Sequence, residues 1–226
     1  MKNWNSAKEL FEYLNQNIEY LVIRNHEGFF DSILLDSHAD IDLLINFQDR
    51  KRLISGLGAT PRLERKDNIH FKVLVNGEFI PIDIRTVGDG YYDKKWEQCM
   101  LRERVFNDVG FYHMDNENYF WSLLYHSLYH KGFISKEYKI RLAKLYLNEM
   151  IDDINLLEER LACYMMEKGY YYSISKDKYL WYHFGEKCKG KIHAYPLYPF
   201  VKLTMHFKDF MKCRIKWRQN GNNESK

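Results

Sequence analysis

Two segments in the first half of the chain alternate apolar and polar residues with the two-residue period of a β-strand. Residues 40–45 read Asp-Ile-Asp-Leu-Leu-Ile, and residues 70–85 contain Asn76 and Gly77 between two alternating runs. An Asn-Gly pair in that position predicts a β-hairpin with a type I′ turn. Pro81 has no N–H to donate, so it predicts an edge position or a bulge in the second hairpin strand.

Helical spacing of apolar residues flanks these strands and dominates the second half. Ser6 and Glu9 form a capping-box pattern, and either Asp115 or Asn116 can cap a longer helix. We expect a helix followed by a loop over 91–114. The other predicted helices cover about residues 6–15, 48–57, 116–131, 135–150 and 151–168.

The order of these elements predicts an α+β fold with two domains. Residues 1–114 are expected to form an α/β domain, and residues 115–226 a helical domain with a basic amphipathic C-terminal segment. The last predicted helix before that segment has an apolar stripe of core residues. The stripe consists of Ile154, Leu157, Leu161 and Met165.

The composition is that of a globular protein. The 226 residues are 46% apolar and 16% aromatic, which is enough for one or two hydrophobic cores. The sequence has neither a secretory signal nor a run of about 20 apolar residues, so we expect a cytoplasmic protein. The four cysteines are far apart in sequence, which predicts reduced thiols rather than disulfides or zinc sites.

The formal net charge of +3 is unevenly distributed. Residues 187–218 carry nine Lys or Arg and one acid, whereas residues 1–186 carry 24 basic and 29 acidic side chains. Such an excess of basic residues predicts an anionic partner. Residues 200–218 are either an ordinary terminal helix with a solvated basic face or a peripheral contact with the inner face of the membrane.

The acidic residues of the first strand carry the strongest chemical signal. Asp40 and Asp42 stand two residues apart in an apolar run, so both carboxylates lie on the same face of the strand. Aspartate is unfavourable near a core without a partner, and several carboxylate oxygens together suit a hard divalent cation. We therefore expect Mg²⁺ at these residues, with Mn²⁺ as the alternative.

Asp83 supplies a third carboxylate from the second hairpin strand, on the same face as Arg85. Three acids from two adjacent strands are what two Mg²⁺ ions need to bridge nucleotide phosphates during an in-line displacement. In the competing interpretation, Asp40 caps or forms an ion pair and Asp83 pairs with Arg85. We predict that Asp40, Asp42 and Asp83 are metal ligands and catalytic residues.

The Asp-x-Asp strand followed by a hairpin with a third Asp resembles the nucleotidyltransferase superfamily that includes DNA polymerase β. More narrowly, the chain resembles bacterial nucleotidyltransferase-like proteins that are often encoded with surface-polysaccharide genes. The likeness covers about residues 18–131 and includes Arg24-Asn25 after a strand and the helical Leu-Leu-Tyr-His-Ser-Leu-Tyr-His-Lys that ends at Lys131. It implies a mixed nucleotidyltransferase-type sheet flanked by helices.

The chain departs from that superfamily at the turn that holds the triphosphate. The superfamily places Gly-Ser before its Asp-x-Asp, and no Gly-Ser pair precedes Asp40 here. At this departure we expect Arg24, Asn25 and Ser37 to contact phosphate instead, since a guanidinium matches phosphate geometry. Arg85 is expected to offset the negative charge that spreads over the phosphates.

His126 and His130 stand four residues apart and share a face of the predicted helix. Zinc is disfavoured because the motif lacks an acid between them and no third ligand is evident. The histidines either form hydrogen bonds within a helix interface or face phosphate or substrate. The resemblance favours the second interpretation, with Lys131 as a phosphate contact.

These residues together predict an Mg²⁺-dependent transferase. We expect it to move a nucleoside monophosphate from a nucleoside triphosphate to a small hydroxyl or phosphorylated acceptor, and the resemblance suggests surface-polysaccharide biosynthesis. One alternative is a binding protein that kept the fold and lost catalysis. Another is a nucleic-acid-directed transferase, but the basic segment has no recognisable binding motif, so we expect no nucleic acid partner.

Overall fold

A computed structural model describes residues 2–24, 40–62, 69–131, 133–145 and 153–171. The described residues form a mixed α/β structure with a mixed sheet and helices, as expected for the α+β class. The chain divides into two compact units. The first unit comprises residues 1–89 and 94–119, and the second comprises residues 90–93 and 120–226. The domain boundary at residues 114 and 115 remains a prediction.

Eight strands among the described residues form one mixed sheet in the first unit. They are β1 (Asn3–Trp4), β2 (Tyr20–Val22), β3 (Ile41–Ile45), β4 (Thr60–Pro61), β5 (His70–Val75), β6 (Glu78–Thr86), β7 (Val105–Phe106) and β8 (Tyr112–His113). Their hydrogen-bonded order is β1-β5-β6-β3-β2-β8-β7, and β4 pairs with β5. Strand β3 pairs with β6 in parallel and with β2 in antiparallel orientation. The two acidic segments, on β3 and β6, therefore lie on neighbouring central strands.

The hairpin of β5 and β6 confirms the prediction from the Asn-Gly pair. Asn76 and Gly77 both have positive φ, +50° and +80°, as a type I′ turn requires. The register runs one to one along the hairpin, which brings His70 opposite Asp83. Pro81 lies one residue before β6 begins to pair with β3, so β6 is paired on one side only at that point. The predicted edge position is therefore correct locally, and the bulge is wrong.

The helices begin largely where the caps predict. Ser6 Oγ accepts a hydrogen bond from the Glu9 amide at 3.1 Å, and Asp115 Oδ1 accepts one from the Asn118 amide at 3.0 Å. The described helices are α1 (Ala7–Asn17), α2 (Arg50–Leu57, after a 3-10 turn at Phe47–Asp49), α3 (Lys94–Arg102), α4 (Asn116–Tyr125), a π-helix (His126–Lys131), α5 (Lys136–Leu145) and α6 (Ile154–Glu167).

Three details of the sequence-based assignment are wrong. Strands β7 and β8 occupy a stretch predicted to be a loop, because strands of two residues are too short to show alternation. The helix that follows Asp115 changes to a π-helix at His126 rather than remaining α-helical to Lys131. Ile154 is 46% exposed and lies outside the core, whereas the other three residues of its predicted stripe are buried.

Alternation along the strands separates the two faces of the sheet. One face packs against α1 and α2 to form the main hydrophobic core of the first unit, which includes Leu10, Phe11, Leu14, Val22, Leu43, Ile45, Leu53, Leu57, Val73, Ile82 and Ile84. Asp42 and Asp83 occupy alternate positions, on the other face. Helix α3 contacts β2 and β3 and buries Trp96, Met100 and Leu101. The predicted placement of Asp83 opposite its apolar neighbours is confirmed.

Two further predictions concern the thiols and the membrane. Cys99 and Cys163 are reduced, partly buried thiols, as predicted. Across the described ranges, no helix is long and apolar enough to cross a membrane. Cys188, Cys213 and the basic segment 200–218 lie outside the described residues.

Candidate functional site

The pairing of β3 with β6 brings two of the three predicted carboxylates together. Asp42 and Asp83 are directly opposite each other in the parallel ladder, on the face of the sheet away from the main core. Asp40 immediately precedes β3, two residues before Asp42, as the predicted alternation requires. The structure therefore places the acids on adjacent strands.

Asp42 forms a buried ion pair with Arg24. The guanidinium donates to Asp42 Oδ2 from Nη2 at 2.8 Å and from Nε at 3.2 Å. The two side chains are only 10% and 8% exposed. The amide of Ile23 donates to the carbonyl of Asp42 at 2.8 Å, which extends the contact between the two chain segments just before Arg24. The residue predicted to hold phosphate thus contacts a predicted metal ligand.

Asp83 is in an environment that opposes its ionisation. Burial, followed by the nearby negative charge of Asp42, raises its pKa from 3.8 to about 6; Asp40 adds to this, whereas His70 and Arg85 lower the pKa. His70 Nε2 lies 3.5 Å from Asp83 Oδ2. The other oxygen, Oδ1, is buried and has no hydrogen-bond partner within the described part of the chain. Of the three predicted acids, Asp83 is therefore the one whose ionised form a positively charged partner would stabilise most.

Asp40 and Arg85 lie at the more open side of this group. Arg62 Nη1 is 3.8 Å from Asp40 Oδ1, and the Asp40 side chain is 45% exposed. Arg85 Nη1 is 3.7 Å from Asp89 Oδ2, a longer contact than a strong ion pair. The ion pair of Asp40 is the one that the competing interpretation expected. For Asp83, His70 is a basic neighbour that this interpretation did not include.

The donor set fits a divalent cation in chemistry. Carboxylate oxygens are the ligands that Mg²⁺ prefers. A bound cation would reduce the repulsion among the acids and would give the buried Asp83 Oδ1 a partner. Among the described residues, however, no three His, Cys, Asp or Glu side chains are already arranged around a common ion position. The acids are instead engaged by basic side chains, and their role as ligands remains a prediction.

The remaining predicted site residues either are not described or belong to the second unit. Asn25 and Ser37 fall outside the described residues. His126, His130 and Lys131 belong to the second unit, in the π-helix. Lys131 Nζ lies 3.4 Å from the Tyr138 hydroxyl.

The two histidines of the π-helix are buried and close together. Their Nδ1 atoms are 3.2 Å apart, and the Tyr91 hydroxyl is 2.8 Å from Nδ1 of His126. The ring of Tyr91 also packs on His130, with ring centroids 4.1 Å apart. These contacts support the interpretation of hydrogen-bonded histidines in a packed interior, and phosphate binding by this segment remains a prediction.

Two residues near the acids were missed from the sequence: His70 and Arg62. A signal for His70 was available, because a two-residue turn at Asn76-Gly77 sets the hairpin register and so places position 70 opposite 83. Arg62 gave no such signal. It follows β4, a strand of two residues, and its amide donates to the carbonyl of His70.

Comparison of the chain with protein-family models, with curated proteins and with solved structures found no match in any of the three.

Proposed function

We infer that this chain is an Mg²⁺-dependent nucleotidyltransferase with a nucleotidyltransferase-type sheet. The observation that carries the inference is the direct pairing of Asp42 with Asp83 on parallel neighbouring strands, beside Asp40. Nucleotidyl transfer needs carboxylates that hold cations against the donor phosphates, and adjacent strands fix such groups rigidly. The donor is a nucleoside triphosphate, and the acceptor is a small molecule with a hydroxyl or phosphate group.

Each acid has a distinct role in this proposal. Asp40 and Asp42 would hold one Mg²⁺ ion, and Asp83 would contribute to a second. The bound ions would supply charge neutralisation at the attacking and leaving oxygens. In this proposal Asp83 also accepts the proton of the acceptor hydroxyl.

Basic side chains complete the phosphate site. Arg24 lies next to Asp42 and can offer a planar fork to phosphate oxygens, while Arg85 adds positive charge on the same face of β6. The resemblance alone suggests that His126, His130 and Lys131 bind phosphate. The same resemblance suggests a sugar or polyol phosphate as the acceptor, with use in surface-polysaccharide synthesis.

One observation favours a second function, that of a catalytically inactive binding protein. Asp42 is occupied by Arg24 in a buried pair, and a carboxylate so engaged can be a structural element alone. A nucleic-acid-directed transferase has no comparable support, because the basic segment lies outside the described residues.

Calorimetry on the full chain separates these functions. Nucleoside triphosphates are titrated into wild type, Asp42→Asn, Asp83→Asn and Asp108→Asn, each with Mg²⁺ and with EDTA. Asp108 is an exposed aspartate in the β7–β8 turn and serves as the matched control. For the enzyme, binding to wild type and Asp108→Asn requires Mg²⁺, and the other two variants lose affinity by about tenfold or more, the factor that about 1.4 kcal/mol represents.

A different result would reject the enzyme. If the nucleotide affinity is the same with Mg²⁺ and with EDTA, and equal in all four proteins, the result supports the inactive binding protein. Pyrophosphate release from the triphosphate that binds, measured with a panel of sugar and polyol phosphates, then identifies the acceptor class. Absence of release across the panel, despite Mg²⁺-dependent binding, argues against transfer to such acceptors.

A further inference from the structure

Each of the three carboxylates at the candidate site faces a basic side chain of the same chain within 4 Å. The distances are 3.8 Å for Arg62 to Asp40, 2.8 Å for Arg24 to Asp42 and 3.5 Å for His70 to Asp83. The protein therefore places basic side chains at the positions where the proposed function needs cations. A cation that arrives alone has to compete with them.

The competition is strongest at Asp42. Two N–H groups of Arg24 point at the same oxygen, Oδ2, and both side chains are buried, where charge-assisted hydrogen bonds are strong. A divalent cation and a guanidinium on one carboxylate repel each other at short range. Moving Arg24 away without a new acceptor would break its buried ion pair with Asp42, which is costly.

We propose that Arg24 makes cation binding at Asp42 depend on the nucleotide, so that the metal enters together with a phosphate group and binds poorly alone. Phosphate oxygens give the guanidinium a new bidentate acceptor as the cation takes over the carboxylate. The proposal rests on the proposed function, and it assigns Arg24 as the residue that couples the two ligands.

Thermodynamic linkage gives this proposal a measurable form. If the nucleotide raises the affinity for the cation, the cation must raise the affinity for the nucleotide by the same factor. Removing the guanidinium should increase the affinity for the cation alone and shrink the coupling. If Arg24 were merely structural, its removal would leave the coupling between the cation and the nucleotide unchanged.

The experiment uses Mn²⁺ as the probe, detected by electron paramagnetic resonance on the full chain. Mn²⁺ is titrated alone and with a non-hydrolysable analogue of the nucleoside triphosphate that binds in calorimetry. Arg24→Met is expected to bind Mn²⁺ alone about tenfold more tightly than wild type, the factor that corresponds to one charge-assisted hydrogen bond of about 1.5 kcal/mol. Addition of the nucleotide analogue should then raise the Mn²⁺ affinity of Arg24→Met by a smaller factor than it raises that of wild type.

Arg52→Met is the matched control. Arg52 forms a 2.7 Å ion pair with Asp49, but its side chain is 59% exposed. This variant should match wild type in both titrations. Equal Mn²⁺ affinity of wild type and Arg24→Met, with Mn²⁺-nucleotide binding intact in wild type, overturns the coupling role alone. Absence of Mn²⁺-nucleotide binding in wild type overturns the proposed function as well.

A measurement on wild type keeps the test valid if Arg24→Met does not fold. The Nε–H resonance of Arg24, assigned by nuclear magnetic resonance, should stay unchanged with millimolar Mg²⁺ and shift when Mg²⁺ and the nucleotide analogue are both present. A full shift with Mg²⁺ alone overturns the proposal.

Discussion

At the scale of single residues, Asp83 combines three features that rarely coincide in a structural aspartate. Its pKa is raised to about 6, one of its oxygens is buried without a partner among the described residues, and it pairs with another aspartate across the ladder. If Asp83 were purely structural, replacing it with a neutral residue would make the protein more stable. The presence of Asp83 therefore favours a role that needs an ionisable oxygen.

The pH dependence of stability follows from that pKa in the metal-free protein. Because the folded pKa of Asp83 (about 6) exceeds its ordinary value of 3.8, the stabilising contribution is complete below about pH 3.8 and is lost as the pH rises through 6. A shift of about two pKa units corresponds to a loss of roughly 3 kcal/mol by neutral pH. Asp83→Asn stays neutral, so its free energy of unfolding should lack this decline.

Urea unfolding between pH 4.5 and 8 in EDTA measures this difference. Asp108→Asn, an exposed aspartate in the same unit, should follow the wild-type profile. Parallel profiles for wild type and Asp83→Asn would show that Asp83 titrates normally and that its surroundings are more solvated than the structure indicates.

At the scale of secondary structure, the success of sequence analysis depends on how local the determining interactions are. The β5–β6 hairpin was predictable down to its turn type, because Asn76 and Gly77 alone fix its register. The helix starts at Ser6, Asp115 and Ser135 were predictable for the same reason, since a cap acts within one turn.

Elements defined by distant partners were not predictable. Strand β1 exists because it pairs with β5, about 70 residues further along the chain, and its two residues carry no alternation of their own. The ion pair of Arg24 with Asp42 likewise depends on β2 pairing with β3. The π-helix at His126–Lys131 replaces a stretch whose sequence favours an ordinary helix. The acids could be listed from the sequence, and among their basic partners only His70 had a sequence signal, through the register of the hairpin.

The end of α2 offers a test of backbone conformation. Gly58 closes this helix with φ of +64°, and a Cβ there would lie 2.9 Å from the backbone nitrogen of Lys2. Gly58→Ala should therefore lower the free energy of unfolding by about 2 to 3 kcal/mol, through left-handed strain and a clash with the backbone.

The hairpin glycine is its matched control. Gly77 has φ of +80°, and nothing lies within 4 Å of a Cβ built there, so Gly77→Ala should cost only the conformational part, about 1 kcal/mol. Chemical denaturation of both variants gives the comparison. Equal losses would show that the chain near Lys2 moves aside at little cost.

The π-helix provides a second test, in the second unit. His126 contacts both the Tyr91 hydroxyl and His130 Nδ1. Tyr91→Phe removes one hydrogen bond and should cost about 1 kcal/mol, whereas His126→Leu removes a partner from two polar groups and should cost about 2 to 3 kcal/mol. Because the two residues share a bond, the double variant should lose less than the sum of the single losses. Thermal and urea unfolding measure all four proteins, and additive losses would contradict the bond.

At the scale of the whole molecule, the main hydrophobic core and the candidate acids lie in the first unit. Every residue of that core falls between Trp4 and Phe111, and both α1 and α2 contribute to it. The first unit includes residues 94–119. Trp96, fully buried, donates from Nε1 to Asn118 Oδ1 at 2.9 Å, and the Asn118 amide is held by Asp115.

This arrangement predicts that a fragment of residues 1–119 folds alone, with cooperative urea unfolding and a dispersed amide spectrum, because its core is complete. A fragment of residues 1–114 is the matched control. It keeps the same core but removes Asn118 from the buried indole of Trp96, so it should be less stable by about 1 to 3 kcal/mol, the cost of losing a buried hydrogen-bond partner. Equal stability of the two fragments would support the predicted boundary at 114. Failure of both to fold would mean that the core of the first unit depends on the rest of the chain.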